Sequence, residues 1–133
     1  MKVNISLLAG ILSYSILTTH SAWADTCQNP QTQAELNRCA ALLLDEANQR
    51  INLTYNNFRA KLNQKQKQQL KEVQLAWINY KDLACQFETA QSAGGSARPM
   101  ALANCLAEKT RQRNKELEIL GVCQEGDLNC PAW

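Results

Sequence analysis

From Gln31 to Ala93 the chain contains neither glycine nor proline, which favours long, uninterrupted elements over a succession of short ones. Within that span Leu36, Ala40, Leu43, Ala47, Ile51, Thr54 or Tyr55, Phe58 and Leu62 follow one another at intervals of three or four. That period gathers them on one face of a helix and leaves Arg38, Asp45, Gln49, Asn52, Asn56 and Arg59 on the other. The helix should begin near Gln33. Thr32 and Glu35 have capping-box spacing, in which a hydroxyl and a carboxylate each satisfy an orphan backbone amide.

Asn63 to Lys67 is wholly polar and reads as a turn, after which Leu70, Val73, Trp77, Tyr80 or Lys81, Ala84 and Phe87 form a second periodic series. The first two helices are therefore expected to form an antiparallel hairpin. Ser92-Ala93-Gly94-Gly95-Ser96 breaks the pattern, and Pro99 falls where proline is tolerated, in the first turn of a third helix running from about Pro99 to Leu120. Its inner stripe should be Leu102, Leu106, Thr110, Arg113, Leu117 and Leu120, with Gly121 as C-cap. No stretch alternates with period two for long enough to predict a strand. The expected fold is all-α, an elongated three-helix up-down bundle with helices about 30 to 45 Å long.

The amino terminus reads as an export signal. Met1-Lys2 gives a positive start, Ile5 to Leu17 is predominantly apolar, and Ala22-Trp23-Ala24 ends a polar stretch, so cleavage is expected after Ala24. The apolar run is too short for a membrane anchor, and Asp25 before Cys27 spoils a lipoprotein box. The mature domain would be Asp25 to Trp133, with 121–133 as a tail. Removing residues 1–24 takes away the sole histidine, His20, and Lys2, so the formal net charge of +2 becomes about +1. A domain without histidine lacks the usual general base near neutral pH and the commonest zinc ligand.

All six cysteines remain in the mature domain. No Cys-x-x-Cys is present, so zinc or redox chemistry fits poorly, and structural disulfides are expected. No cofactor or metal is expected. Cys85 and Cys105 lie symmetrically about Gly95 and so face each other across a hairpin, with Cys39 at the same end of the bundle. Cys123 and Cys130 would pair locally. Cys27, Cys39, Cys85 and Cys105 can pair in three ways, of which Cys27–Cys39 with Cys85–Cys105 is favoured.

The most distinctive stretch is Gln74-x-x-Trp77-x-x-Tyr80-Lys81-Asp82-x-x-Cys85, which sets an amide, an indole, a cation and a cysteine along one strip of the second helix. Trp77 and Tyr80 read as core aromatics with polar tips, and Lys81 and Asp82 as solvated charges; the sharper reading makes Trp77, Tyr80 and Lys81 part of a binding face. Together with Cys27, the approach Ala34-Glu35-Leu36-Asn37-Arg38-Cys39, Gly94-Gly95-Ser96, Cys105-Leu106 and Thr110-x-x-Arg113-x-x-Glu116-Leu117, this stretch resembles the LprI-like family. The family is named for a mycobacterial lysozyme inhibitor and consists of secreted or lipid-anchored helical domains. The resemblance covers nearly all of residues 27–120, in order and spacing. It implies a periplasmic or secreted binding protein whose partner is a protein, with lysozyme inhibition the namesake's activity.

Two functions follow. One is an inhibitor of lysozyme-type muramidases, in which the 92–98 loop offers Ser92, Ser96 and Arg98 to a cleft lined by carboxylates. A net charge of about +1 gives no general attraction to a basic lysozyme, so steering would fall to local acids such as Glu125 and Asp127. The alternative is a non-inhibitory envelope interaction module or adaptor. Enzymatic activity is not expected, because Asp45-Glu46 and Glu116/Glu118 point in different directions on their helices. The lysines at 61, 65, 67 and 71 cluster without interleaved aromatics, which argues against nucleic acid and for a solvated turn.

Overall fold

The computed structural model describes residues 27–124 and 126–131. The expected signal segment with its cleavage site, and Glu125, lie outside them. Three helices make up the fold: α1 (Gln33–Ala60), α2 (Gln64–Glu88) and α3 (Arg98–Leu120), with a short 3-10 helix at Ala90–Ser92 and no strand among the described residues.

Each helix starts where side chains satisfy its orphan amides. Thr32 and Glu35 form the expected capping box on α1. Asn63 and Gln66 form a second one on α2, so the turn after α1 is shorter than the polar run suggested, and Gln64 to Lys67 are helical. Ala97, at the N-cap of α3, has no side chain that can cap. The acceptor comes instead from α1, where Asn37 Oδ1 accepts the Met100 N–H at 3.2 Å and Nδ2 donates to the Ser96 carbonyl at 3.0 Å. Gly94 turns the chain between α2 and α3 with φ 77°, a conformation costly for residues with a Cβ.

At the opposite end, the Lys61 ammonium donates to the Gly121 carbonyl at 2.6 Å. Asn37 with Met100 and Lys61 with Gly121 fix α1 and α3 as parallel, and α2 runs antiparallel between them in sequence. The closest backbone approach is between α1 and α3, while α2 stands farther off and rests chiefly on α3. The first two helices form the expected antiparallel hairpin, but the closest packing in the bundle is between the parallel first and last helices. Side-chain size accounts for the difference: Ala40 and Ala47 on α1, and Ala103 and Ala107 on α3, are buried, and small residues at a crossing let two axes approach.

The larger apolar side chains collect at the end of the bundle near the α1–α2 turn. Ile51, Phe58, Leu62, Leu70 and Leu117 form one cluster, with Tyr55, Trp77 and Leu120 packed against it. The other end carries two disulfides, Cys27–Cys39 and Cys85–Cys105, and Cys123–Cys130 closes the tail, which is the favoured pairing. A thin alanine-lined region supplies little apolar burial, and cross-links there restrict the unfolded chain where side-chain packing contributes least.

Four residues read as inner-stripe positions are exposed: Leu43, Val73, Phe87 and Tyr80, the last because Lys81 takes the inward place that the spacing left open between the two. In α3 the most buried positions are Ala103, Ala107, Thr110, Asn114 and Leu117. Leu102 and Leu106, half-buried, sit one residue away, because the close α1–α3 contact admits only the smaller neighbours.

Candidate functional site

The distinctive stretch of α2 divides between two faces of its helix. Trp77 turns inward and packs against the core cluster. The Lys81 ammonium lies 5.2 Å from the Trp77 ring centroid and 3.5 Å from Asp82 Oδ1, with the Lys81 side chain only 12% exposed. Lys81 is therefore held by a cation–π contact and an ion pair, not extended into water as its sequence context suggested. Tyr80 is on the outer side, 60% exposed. The Lys109 ammonium lies 5.8 Å from its ring and 2.8 Å from Glu88 Oε1. Its hydrogen bond to that carboxylate raises the Lys109 pKa above the ordinary lysine value.

Several motif residues are joined across helices. Arg113 of α3 donates through Nε to Gln74 Oε1 at 3.3 Å on α2, and pairs with Glu116 at 2.7 Å. Thr110, fully buried, donates its hydroxyl to the Leu106 carbonyl at 2.7 Å. The Arg113–Gln74 bond thus ties α3 to α2, with Glu116 orienting Arg113, while Thr110 bonds within α3.

The 92–98 loop is likewise knit to α2. The Arg98 guanidinium donates to the Thr89 carbonyl and hydroxyl at 2.5 and 3.0 Å, and the Ser92 hydroxyl donates to the same carbonyl at 2.7 Å. Arg98 and Ser92 come together on Thr89 as a brace for the end of α2. Ser96 is exposed, and its carbonyl is taken by Asn37. Trp77, Tyr80 and Lys81 adjoin one another on α2, but the loop residues form a separate group beyond its C-terminal end.

The outer face of α2 carries a feature that the first reading of the sequence missed. Val73, Ala76, Tyr80, Leu83 and Phe87 are all exposed, Leu83 to 57% and Phe87 to 83%. Their spacing alternates three and four, so they lie in one stripe along the helix. The inward series, Leu70, Gln74, Trp77, Lys81 and Ala84, runs beside it. The signal was present as a second heptad series in the same helix, but Val73 and Phe87 had been counted into the first. Five exposed, mostly apolar side chains thus line one face of α2.

Among the described residues no group of three or more histidine, cysteine, aspartate or glutamate side chains could hold a metal. No helix among them is long and apolar enough to cross a membrane. Three disulfides and the family to which the chain is assigned below suit an extracytoplasmic protein.

No solved structure matches the chain. A relative in Rhizobium meliloti (strain 1021), described as an uncharacterized protein, is 34% identical over 107 residues, covering 71% of this chain and 77% of its own. The alternation of cysteines, α2 motif and α3 motif falls within a further match, to the family described as lysozyme inhibitor LprI, over residues 24–117. With most of its length matched, this chain belongs to the LprI family.

Proposed function

We propose that the protein is a periplasmic or secreted inhibitor of lysozyme-type muramidases, exported by cleavage after Ala24, which binds its target through the outer face of α2. The observation that carries this reading is the exposed stripe Val73, Ala76, Tyr80, Leu83 and Phe87, in a chain whose family takes its description from lysozyme inhibition. Aromatic and aliphatic anchors of this kind supply most of the energy of protein–protein contacts. Disulfide-held helices present them with little ordering cost.

The near-neutral charge of the mature domain makes steering toward a basic enzyme weak, so affinity would rest on apolar contact. Ser96, exposed beyond the C-terminal end of α2, would add polar contacts at the edge. Arg98 and Ser92 would act by bracing that end, since their polar groups are engaged with Thr89.

The test is a lysozyme turbidity assay with purified mature protein beside Leu83→Asp and Phe87→Ser. Slowed clearing by the wild type, lost in variants that keep helicity and melting temperature, is the expected result. Unchanged clearing with the wild type at micromolar excess overturns the inhibitor reading and leaves the envelope adaptor. Inhibition that both variants retain would move the contact off α2.

A further inference from the structure

A groove of about 210 Å³ lies between the parallel helices α1 and α3 and has no part in the α2 surface. Its apolar side is Leu43 and Ala47, its cations are Arg50, Arg111 and Lys115, and its carboxylates are Glu46 and Glu118. Asn114, only 4% exposed, also lines it. The Asn114 amide nitrogen donates to Glu118 Oε1 at 2.7 Å, but its Oδ1 is buried and meets no donor among the described residues.

A buried amide oxygen without a partner is costly, and rare enough in folded proteins to need a reason. The charges around it are only partly paired. Glu46 and Arg50 are four residues apart on α1, a spacing at which glutamate and arginine readily pair. Yet Glu46, Arg50 and Lys115 make no ion pair or hydrogen bond among the described residues. Arg111 pairs with Glu108 at 2.7 Å, and the Lys115 charge also acts on that carboxylate, helping to hold its pKa below the ordinary glutamate value. Cations and carboxylates therefore line one small groove without cancelling each other, around an acceptor that lacks its hydrogen.

We propose that this groove binds a small zwitterion, an amino acid or dipeptide. The ligand carboxylate would lie against Arg50 and Lys115, and its ammonium or amide N–H would approach Glu46, Glu118 and Asn114 Oδ1. A purely anionic ligand would leave the two glutamates and Oδ1 unanswered, and a purely cationic one would face three cations. Small side chains suit the available volume and the Leu43–Ala47 wall.

The experiment titrates the isotopically labelled full mature chain with L-alanyl-L-alanine up to about 10 mM, a range that captures weak binding, and follows backbone and side-chain amide signals. The expected result is a saturable shift centred on the Asn114 side-chain amide and on residues 47, 50 and 115. N-acetylated and C-amidated forms of the same dipeptide should bind at least about tenfold more weakly, and Arg50→Ala, an exposed change, should weaken binding similarly. No saturable shift overturns the site. Equal binding of the acetylated or amidated form overturns the zwitterion assignment, and undiminished binding by Arg50→Ala overturns the placement in this groove. Lysozyme clearing is a separate measurement, so loss of either reading leaves the other intact.

Discussion

Asn37 and Met100 are 63 residues apart, and the side chain of the first caps the helix that contains the second. The second turn of α1 thereby supplies what Ala97 cannot, and the same amide holds the Ser96 carbonyl. Asn37→Ala should cost about 1–2 kcal/mol, the usual worth of a capping side chain. For a domain of this size that lowers the melting temperature by roughly 4–8 °C per kcal/mol. Asn37→Asp keeps an acceptor for Met100 and should lose less. Thermal unfolding followed by circular dichroism, with disulfides intact, distinguishes them; equal melting of all three would show that the cap contributes nothing.

Ala107 and Ala76 are both small apolar residues on helices, but only Ala107 is buried, at the α1–α3 contact. Ala107→Leu should push those helices apart and destabilise by about 1–3 kcal/mol or more, the cost of overpacking. Ala76→Leu, on the outer face of α2, should stay within about 0.5 kcal/mol. Urea midpoints of the two variants provide the comparison, and a tolerant Ala107 would contradict the close parallel pairing.

The disulfides should differ in worth by the length of chain that each closes. Cys85–Cys105 spans 20 residues and Cys123–Cys130 spans 7, so replacing each pair with alanines should cost about 3 and about 2 kcal/mol respectively. Cys85 is completely buried, which adds a packing loss to the first. Denaturant unfolding of the two double variants tests the order, and a larger loss from the tail pair would reverse it.

Glu35 accepts the backbone N–H groups of Gln31 and Thr32 at 2.7 and 2.9 Å, and the Gln31 bond first, then the Thr32 bond, holds its pKa below the ordinary glutamate value. Because the folded pKa lies under the unfolded one, the contribution of this carboxylate is whole above the ordinary glutamate range. It is lost as the pH falls through the lowered folded value. Glu35→Gln keeps a neutral acceptor, so the wild type's advantage over it should be constant near neutrality and shrink on acidification. Urea midpoints of both proteins across an acid series measure this, and an advantage independent of pH would rule the carboxylate out.

The sequence was most legible where structure is local. Thr32 and Glu35 are three residues apart, and their cap was readable from that spacing alone. The same spacing in Asn63 and Gln66 was passed over because the residues around them are polar enough to resemble a loop. The symmetry of Cys85 and Cys105 about Gly95 favoured their bond among three pairings, since a short turn between antiparallel helices fixes the height of both. The α1–α3 pairing was hidden because it joins elements distant in sequence, and its alanines look unremarkable in any helical period. Of the two aromatics of the α2 motif, Trp77 reads correctly as a core residue, but Tyr80 does not: it is exposed, and Lys81 takes the inward position beside Trp77. The inward turn of Lys81 over Trp77 and the use of Arg98 on Thr89 depend on rotamers and neighbours that no spacing encodes.

The parallel pairing of α1 with α3 also governs the order in which this domain can come into being. A chain made from its amino terminus completes α1 first, yet the helix that lies closest against α1 begins only at Arg98. Until then Ala40, Ala47 and Asn37 lack their counterparts on α3, and α1 with α2 alone has neither the alanine contact nor the bond from the Met100 N–H to Asn37. Contacts so distant along the chain delay folding relative to bundles built from neighbours. A growing chain would therefore hold α1 and α2 without their principal packing partner until α3 was nearly complete.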